Sequence, residues 1–161
     1  MIFPEVKIFQ PDSFIDSRGE LYTVFNQDEH ELVFNHDKVA VSKQNVLRGI
    51  HGDFKATKLI TCLHGEIYFV IVDNRPESPN YLKWYCLLLN GINKKSVLVP
   101  PGFGNGHLVL SDTAVFFYKW SYDGEYPDVK DQFSLNWKDP KINIYWPIDN
   151  PILSERDKNS H

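Results

Sequence analysis

Residues 62–73 read Cys-Leu-His-Gly-Glu-Ile-Tyr-Phe-Val-Ile-Val-Asp. Gly65 breaks the apolar run; beyond it Ile67, Phe69 and Ile71 alternate with Tyr68, Val70 and Val72. A period of two belongs to a strand, whose successive side chains point to opposite faces. Both faces are apolar here, so the pattern predicts a strand covered on both sides, as in the middle of a closed or double-layered sheet. Pro76 and Pro79 end it, because proline cannot donate to a ladder and presets a turn.

Working outward, similar short apolar pieces recur near 20–25, 38–42, 58–63, 82–89, 96–99, 107–110 and 114–122, with turn residues between them. Aromatic residues make up 14% of the 161, which favours strands over helices. The reading is an all-β fold, a sandwich or barrel with few short helices. Residues 27–34 are the best short-helix candidate. Pro100 and Pro101 punctuate the strand ending at Val99, and the glycines at 102, 104 and 106 predict a tight turn after it. With no linker or repeat, residues 1–161 read as one domain with a frayed polar end from about Lys158.

Lys and Arg total 17 against 21 Asp and Glu, a formal charge of −4, so no overall basic field draws the chain to nucleic acid. Any anionic ligand must therefore meet local positive charge. The apolar runs are shorter than a bilayer span and the first residues carry no basic-then-apolar signal region, so no membrane partner and a cytoplasmic location are expected. Cys62 and Cys86 sit inside apolar runs, where a thiol behaves as a small hydrophobe, which disfavours a disulfide scaffold or a catalytic thiol.

In Arg48-Gly49-Ile50-His51-Gly52-Asp53 an Asp can ligate as well as a His, so His51, Asp53 and His107 compose one conceivable two-His-one-carboxylate metal set. Isolated His and Asp arise often without ligating anything, and the reading without metal is preferred. On a strand, residues 47, 49 and 51 share a face, which turns Arg48 away from His51 unless Gly49 bulges. Taken singly, His51 reads as a satisfied barrel histidine, Lys58 as a strand-edge charge and Tyr118 as core packing.

Taken together and in order, seven stretches resemble the dTDP-4-dehydrorhamnose 3,5-epimerase family, the dTDP-sugar isomerase branch of the cupins. They are FIDSRGEL (14–21), NVLRGIH (45–51), the run from Lys58 to Trp84 that contains VDNRPESPNYLKW, LVPPGFGNGH (98–107), FFYKWSY (116–122), NWKDPKINIYWP (136–147) and LSERD (153–157). The resemblance implies a cupin-type jelly-roll barrel, a homodimer exchanging N-terminal strands, no metal, no cofactor, and a nucleotide-sugar substrate in bacterial surface-polysaccharide biosynthesis. It places the catalytic base on His51, its carboxylate partner on Asp157, the cation at the sugar's keto oxygen on Lys58 and the opposing acid on Tyr118. It places the diphosphate contacts on Arg18 and Arg48.

These residue types suit the chemistry. A 4-keto group acidifies the hydrogens on C3 and C5, because the carbanion spreads its charge onto oxygen as an enolate. An imidazole is half-free near neutral pH and takes such a proton; a phenol keeps its own and can deliver it from the other face. The implied activity is epimerisation at C3, C5 or both, with a 3,4-ketoisomerase or a non-catalytic nucleotide-sugar binder as alternatives.

The sequence also departs from the family pattern. The usual GFxHGF reads Gly102-Phe103-Gly104-Asn105-Gly106-His107; the usual Gln-x-Asn reads His36-Asp37-Lys38; Thr23 stands where an acidic residue approaches thymine; Phe69 replaces a common acidic residue. Base- and sugar-recognition positions thus differ while the proton-transfer set is intact. The expectation is a different nucleotide sugar, such as a GDP-linked 4-keto heptose, or a different choice between C3 and C5 set by Asn105 and His107. Neutral change among contacts that only position substrate stays open beside it.

Overall fold

The computed structural model describes residues 3–160. In chain order its strands are β1 (Lys7–Phe9), β2 (Ser13–Asp16), β3 (Gly19–Tyr22), β4 (His36–Lys43), β5 (Leu47–Gly52) and β6 (Thr57–His64). They continue with β7 (Glu66–Asp73), β8 (Trp84–Asn90), β9 (Ser96–Val99), β10 (Phe103–Val109), β11 (Thr113–Ser121) and β12 (Phe133–Ser134). A short helix, α1 (Glu155–Lys158), follows.

One sheet runs β1-β9-β6-β11-β4 and the other β12-β5-β10-β7-β8, while β2 and β3 form a separate hairpin. From β4 to β12 each successive strand changes sheet, except across the β7–β8 hairpin. This alternation winds the chain as a jelly roll.

The two-sided character of β7 has a direct structural cause. Ile67, Phe69 and Ile71 meet Ile60, Cys62 and Phe116 between the sheets. Val70 and Val72, with Leu47, Ile50 and Leu108, are covered on the outer face by Trp137, Ile142 and Trp146. Residues 135–153 therefore cover the outer face of the second sheet, and Trp146 ties this segment together by donating Nε1–H to the Trp137 carbonyl at 2.9 Å. Cys62 and Cys86 lie on β6 and β8, and burial pushes the Cys62 thiol up to about 11, which makes it inert at neutral pH.

The motif at 73–79 is a clamp. Asp73, fully buried, accepts from Arg75 Nε at 2.8 Å and Nη2 at 2.7 Å, and from the Ser78 hydroxyl at 2.6 Å. Arg75 also stacks 4.4 Å above the Phe103 ring and reaches Glu5 at 2.8 Å. One tight loop is thereby tied to both β10 and the N-terminal segment.

Three expectations need correction. Residues 27–34 form no helix beyond a 3-10 turn, Gln27–Glu29; Phe25, His30 and Phe34 pack against one another and Phe9 as an aromatic cluster. Residues 102–106 are not one tight turn, because only Gly102 turns (φ +83°) while Phe103 opens β10. Glycine at 104 and 106 serves close packing: a Cβ at either position would lie 2.6 Å from the Ile50 side chain. The polar end expected from about Lys158 is held as far as Ser160, which is buried and donates to the Asp157 carbonyl at 3.0 Å; His161 lies outside the described residues.

Candidate active site

Between the sheets a cavity of about 240 Å³ is walled by β4, β6 and β11 on one side and by β5 and β10 on the other. Lys38, Lys58, Tyr118 and Trp120 come from the first wall; Arg48, His51, Asn105 and His107 from the second. Residues 126–132 and the start of α1 close the rim.

Arg48 and His51 both line this cavity although their spacing on a regular strand would separate them. Opposite them, Asn105 pairs with His51 and His107 with Arg48, so three steps on β5 match two on β10. The extra residue is a bulge at Gly49, where φ is +118° and a Cβ would meet the Gly106 Cα at 2.5 Å. A side chain here would both strain the backbone and hold the strands apart.

His51 meets Asp157 at 2.6 Å, Nε2 to Oδ1. The chain delivers Asp157 by pairing Ile152 with the start of β5 through Ile152 N–H to Asn45 O and Leu47 N–H to Ile152 O. Ser154 then caps α1, donating its hydroxyl to Asp157 Oδ2 at 2.8 Å and accepting the Asp157 N–H at 3.2 Å. Burial alone would raise the Asp157 carboxyl, but the hydrogen bonds from His51 and Ser154 hold it below the ordinary value. An ionised carboxylate only accepts, so Nε2 carries the hydrogen and Nδ1 is left as the basic nitrogen.

Lys58 is buried under the Trp120 ring, 4.4 Å from its centre, with Asp53 Oδ2 3.4 Å from Nζ. Burial lowers its ammonium below the ordinary value and Asp53 opposes that shift. Tyr118 sits between Phe116 and Trp120, at 5.1 and 5.9 Å; burial raises its phenol above the ordinary value, so it holds its proton at neutral pH. His107 stacks on Phe116 at 4.2 Å and burial pushes it down to about 3, leaving a neutral ring. Among the described residues His107 Nε2 and Asn105 Oδ1 are buried without hydrogen-bond partners.

Among the described residues Lys38, Arg48, Lys58 and Arg156 face this cavity against a single lining carboxylate, Asp157. The net negative chain thus concentrates positive charge where an anion would enter. His51, Asp53 and His107 do not converge as metal ligands: Asp53 is turned to Lys58 and to the backbone N–H groups of Lys55 and Ala56. Among the described residues no three His, Cys, Asp or Glu side chains converge on one point.

Three expected residues lie elsewhere. Arg18 is at the exposed tip of the β2–β3 hairpin, paired with Asp16 at 2.6 Å. Thr23 is exposed just beyond that hairpin, and His36 stands behind the rim, stacked 4.4 Å from Tyr126. Conversely, Trp120, Tyr126, Gln132, Ser154 and Arg156 line the cavity without having been singled out. Arg156 directly precedes Asp157, and that neighbourhood was its only signal; it donates to Ser134 Oγ at 2.9 Å.

The family model described as dTDP-4-dehydrorhamnose 3,5-epimerase matches residues 1–161. This chain belongs to the dTDP-4-dehydrorhamnose 3,5-epimerase family. A family enzyme of that name from Shigella flexneri is 39% identical over 97% of this chain and 90% of its own length. The family structure from Legionella pneumophila, in complex with dTDP-4-keto-L-rhamnose, superposes with a TM-score of 0.91 at 32% identity, covering 99% of this chain and 88% of that one. A 3'-monoepimerase from Streptomyces bikiniensis, in complex with dTDP-quinovose, gives 0.88 at 30% identity over 96% of this chain and 82% of that one. Membership makes this chain an isomerase acting on carbohydrates, on the jelly-roll scaffold expected from its sequence.

Proposed function

We propose that the chain epimerises a nucleotide-diphospho-4-keto sugar, with His51 as base, Asp157 as its partner, Lys58 as the cation at the enolate and Tyr118 as the acid. The observation that carries this reading is the His51–Asp157 pair at 2.6 Å in the same cavity as Lys58 and Tyr118, which the β-sandwich brings together from β5, α1, β6 and β11. His51 Nδ1 removes the hydrogen from C3 or C5 as a proton. The C–H electron pair becomes the π bond of a C=C to C4, and the C=O π pair moves onto the 4-keto oxygen, which takes the charge beside Lys58. The enolate electrons then capture the Tyr118 proton on the opposite face, restoring the ketone with one centre inverted. Imidazolium and phenolate reset by exchange with water. Preorganised cations beside a developing oxyanion contribute about 10²–10³ in rate, and a positioned acid or base about 10²–10⁴.

Arg48 and Arg156 supply the positive wall for the diphosphate. Arg18 is too far out on its hairpin to line this cavity, and the hairpin exposes Phe14, Ile15 and Leu21. This supports a homodimer in which the hairpin covers a second copy and Arg18 completes that copy's site. The names of the relatives favour a dTDP-linked substrate. The departures at Thr23, Lys38, Asn105 and His107 leave a GDP-linked heptose as the variant to test beside it. One relative is named a 3'-monoepimerase, so inversion at C3 alone is the second reading.

The test is incubation in D₂O with dTDP-4-keto-6-deoxyglucose and with a GDP-4-keto sugar. Deuterium at C3 and C5 with inverted products supports the double epimerase, and deuterium at C3 alone the mono-epimerase. Binding without exchange on any 4-keto nucleotide sugar removes the proposal.

A further inference from the structure

We infer that Lys38 tunes the acid: its ammonium faces Tyr118 across the β4–β11 ladder and stabilises the phenolate left when Tyr118 gives its proton to the sugar carbon. The inference rests on the proposed role of Tyr118 and adds a residue that acts through it. Lys38 and Tyr118 are directly opposite partners in the antiparallel register, and both side chains line the cavity. Opposite Cβ atoms in such a pair stand about 5 Å apart, within reach of a long side chain. Lys38 does not swing freely. It donates to the Tyr126 hydroxyl, lies 4.4 Å over the Tyr126 ring and stands 5.8 Å from the Trp120 ring. Its charge is held on the same aromatic wall that carries Tyr118, whose ring neighbours Trp120 at 5.9 Å.

The chemistry gives this placement a purpose. A phenol in an apolar wall is a weak donor, because the phenolate it must become loses its water. For Tyr118 burial is the leading influence; the Lys38 charge is the largest that opposes it, Tyr126 acts with burial, and Arg48 opposes it more weakly. The other charged and titratable groups facing the cavity are Lys38 on β4, Arg48 and His51 on β5, Lys58 on β6, His107 on β10, Tyr126 on the rim loop and Arg156 with Asp157 on α1. Lys58 is committed to Asp53 at 3.4 Å and His51 to Asp157 at 2.6 Å. Among the described residues Lys38 donates to the Tyr126 hydroxyl, lies over aromatic rings and forms no salt bridge with a carboxylate, so its charge is available to the phenolate.

The experiment measures Tyr118 directly and turnover separately. Phenolate absorbance is titrated in the full-length protein and in Lys38→Met, each against the same background carrying Tyr118→Phe, so that the difference isolates one tyrosine. The expected result is an upward displacement of the Tyr118 titration in Lys38→Met and its recovery in Lys38→Arg. Turnover of the 4-keto sugar in Lys38→Met falls severalfold in kcat, about threefold to tenfold, with KM moving less than about threefold, because a weaker acid delivers its proton more slowly along a Brønsted relation. The alkaline limb of kcat shifts with the titration, and deuterium uptake with retention gains on uptake with inversion. An unmoved Tyr118 titration overturns the inference, as does a loss confined to KM, which would make Lys38 a phosphate contact. If no 4-keto nucleotide sugar exchanges at all, the proposed function falls, while the titration still decides whether Lys38 governs Tyr118.

Discussion

Replacing Lys58 by Met removes a charge while keeping most of the side-chain volume, and the structure says what that does to stability and rate. At 3.4 Å from Asp53 Oδ2, with both groups buried, the attraction is about 5 kcal/mol at an effective dielectric constant of about 20. Breaking a buried pair typically costs about 3–5 kcal/mol, because the surviving charge is stranded. Asp53 retains two backbone N–H donors on Oδ1, from Lys55 and Ala56, so the lower end, about 3 kcal/mol, is expected. For a chain of this size that lowers the melting temperature by roughly 6–12 °C. Adding Asp53→Asn removes the stranded charge and should return about half of the loss or more. The rate behaves differently: the enolate lacks its cation in both variants, so kcat falls about 10²–10³ in the single and stays down in the double. Thermal melts and deuterium uptake followed by proton NMR read the two effects apart. A single variant that melts with the parent, or a double variant that regains the parent rate, refutes the reasoning.

Asp157→Asn keeps the shape but can present an N–H to His51 Nε2, favouring the wrong tautomer; kcat should drop by about 10²–10⁴ in the uptake assay, with KM little changed. His107 stays neutral in the fold down to about 3 but protonates near 6.5 when unfolded, so its contribution is complete above pH 6.5 and is lost as pH falls through that window. Between pH 6.5 and 4.5 this amounts to about 2 kcal/mol, and denaturant melts of His107→Phe should lack that part of the acid slope. Arg75→Met leaves the buried Asp73 carboxylate without its fork; a stability loss of about 3 kcal/mol in urea unfolding is expected, with kcat retained because Arg75 does not line the cavity.

The two faces of β7 were legible because each is apolar for its own reason, one meeting the opposite sheet and the other Trp137 and Trp146. The strand hidden in the glycine run was not, since Gly104 and Gly106 look like turn residues until the Ile50 side chain is placed against them. His30 and Phe34, four residues apart within 27–34, fit a helical spacing, yet they pack on Phe9, Phe25 and each other, which a local pattern cannot reveal. His51, Lys58, Tyr118 and Asp157 were found through the resemblance and are gathered by the fold. Trp120 and Tyr126 were not, because an aromatic on a strand or loop reads as packing until its neighbours are known to be lysines. The β5 bulge lies between these cases: the sequence posed it as a condition at Gly49, and the register across β10 fulfils it.

Trp120 carries an ammonium near its ring from each of two lysines, Lys58 at 4.4 Å and Lys38 at 5.8 Å. An indole excited by ultraviolet light redistributes electron density across its ring system, so its emission colour responds to charge held at such range. The enzyme thus contains its own voltmeter: when an anionic guest neutralises either cation, Trp120 fluorescence changes colour, and occupancy can be followed in real time without a label.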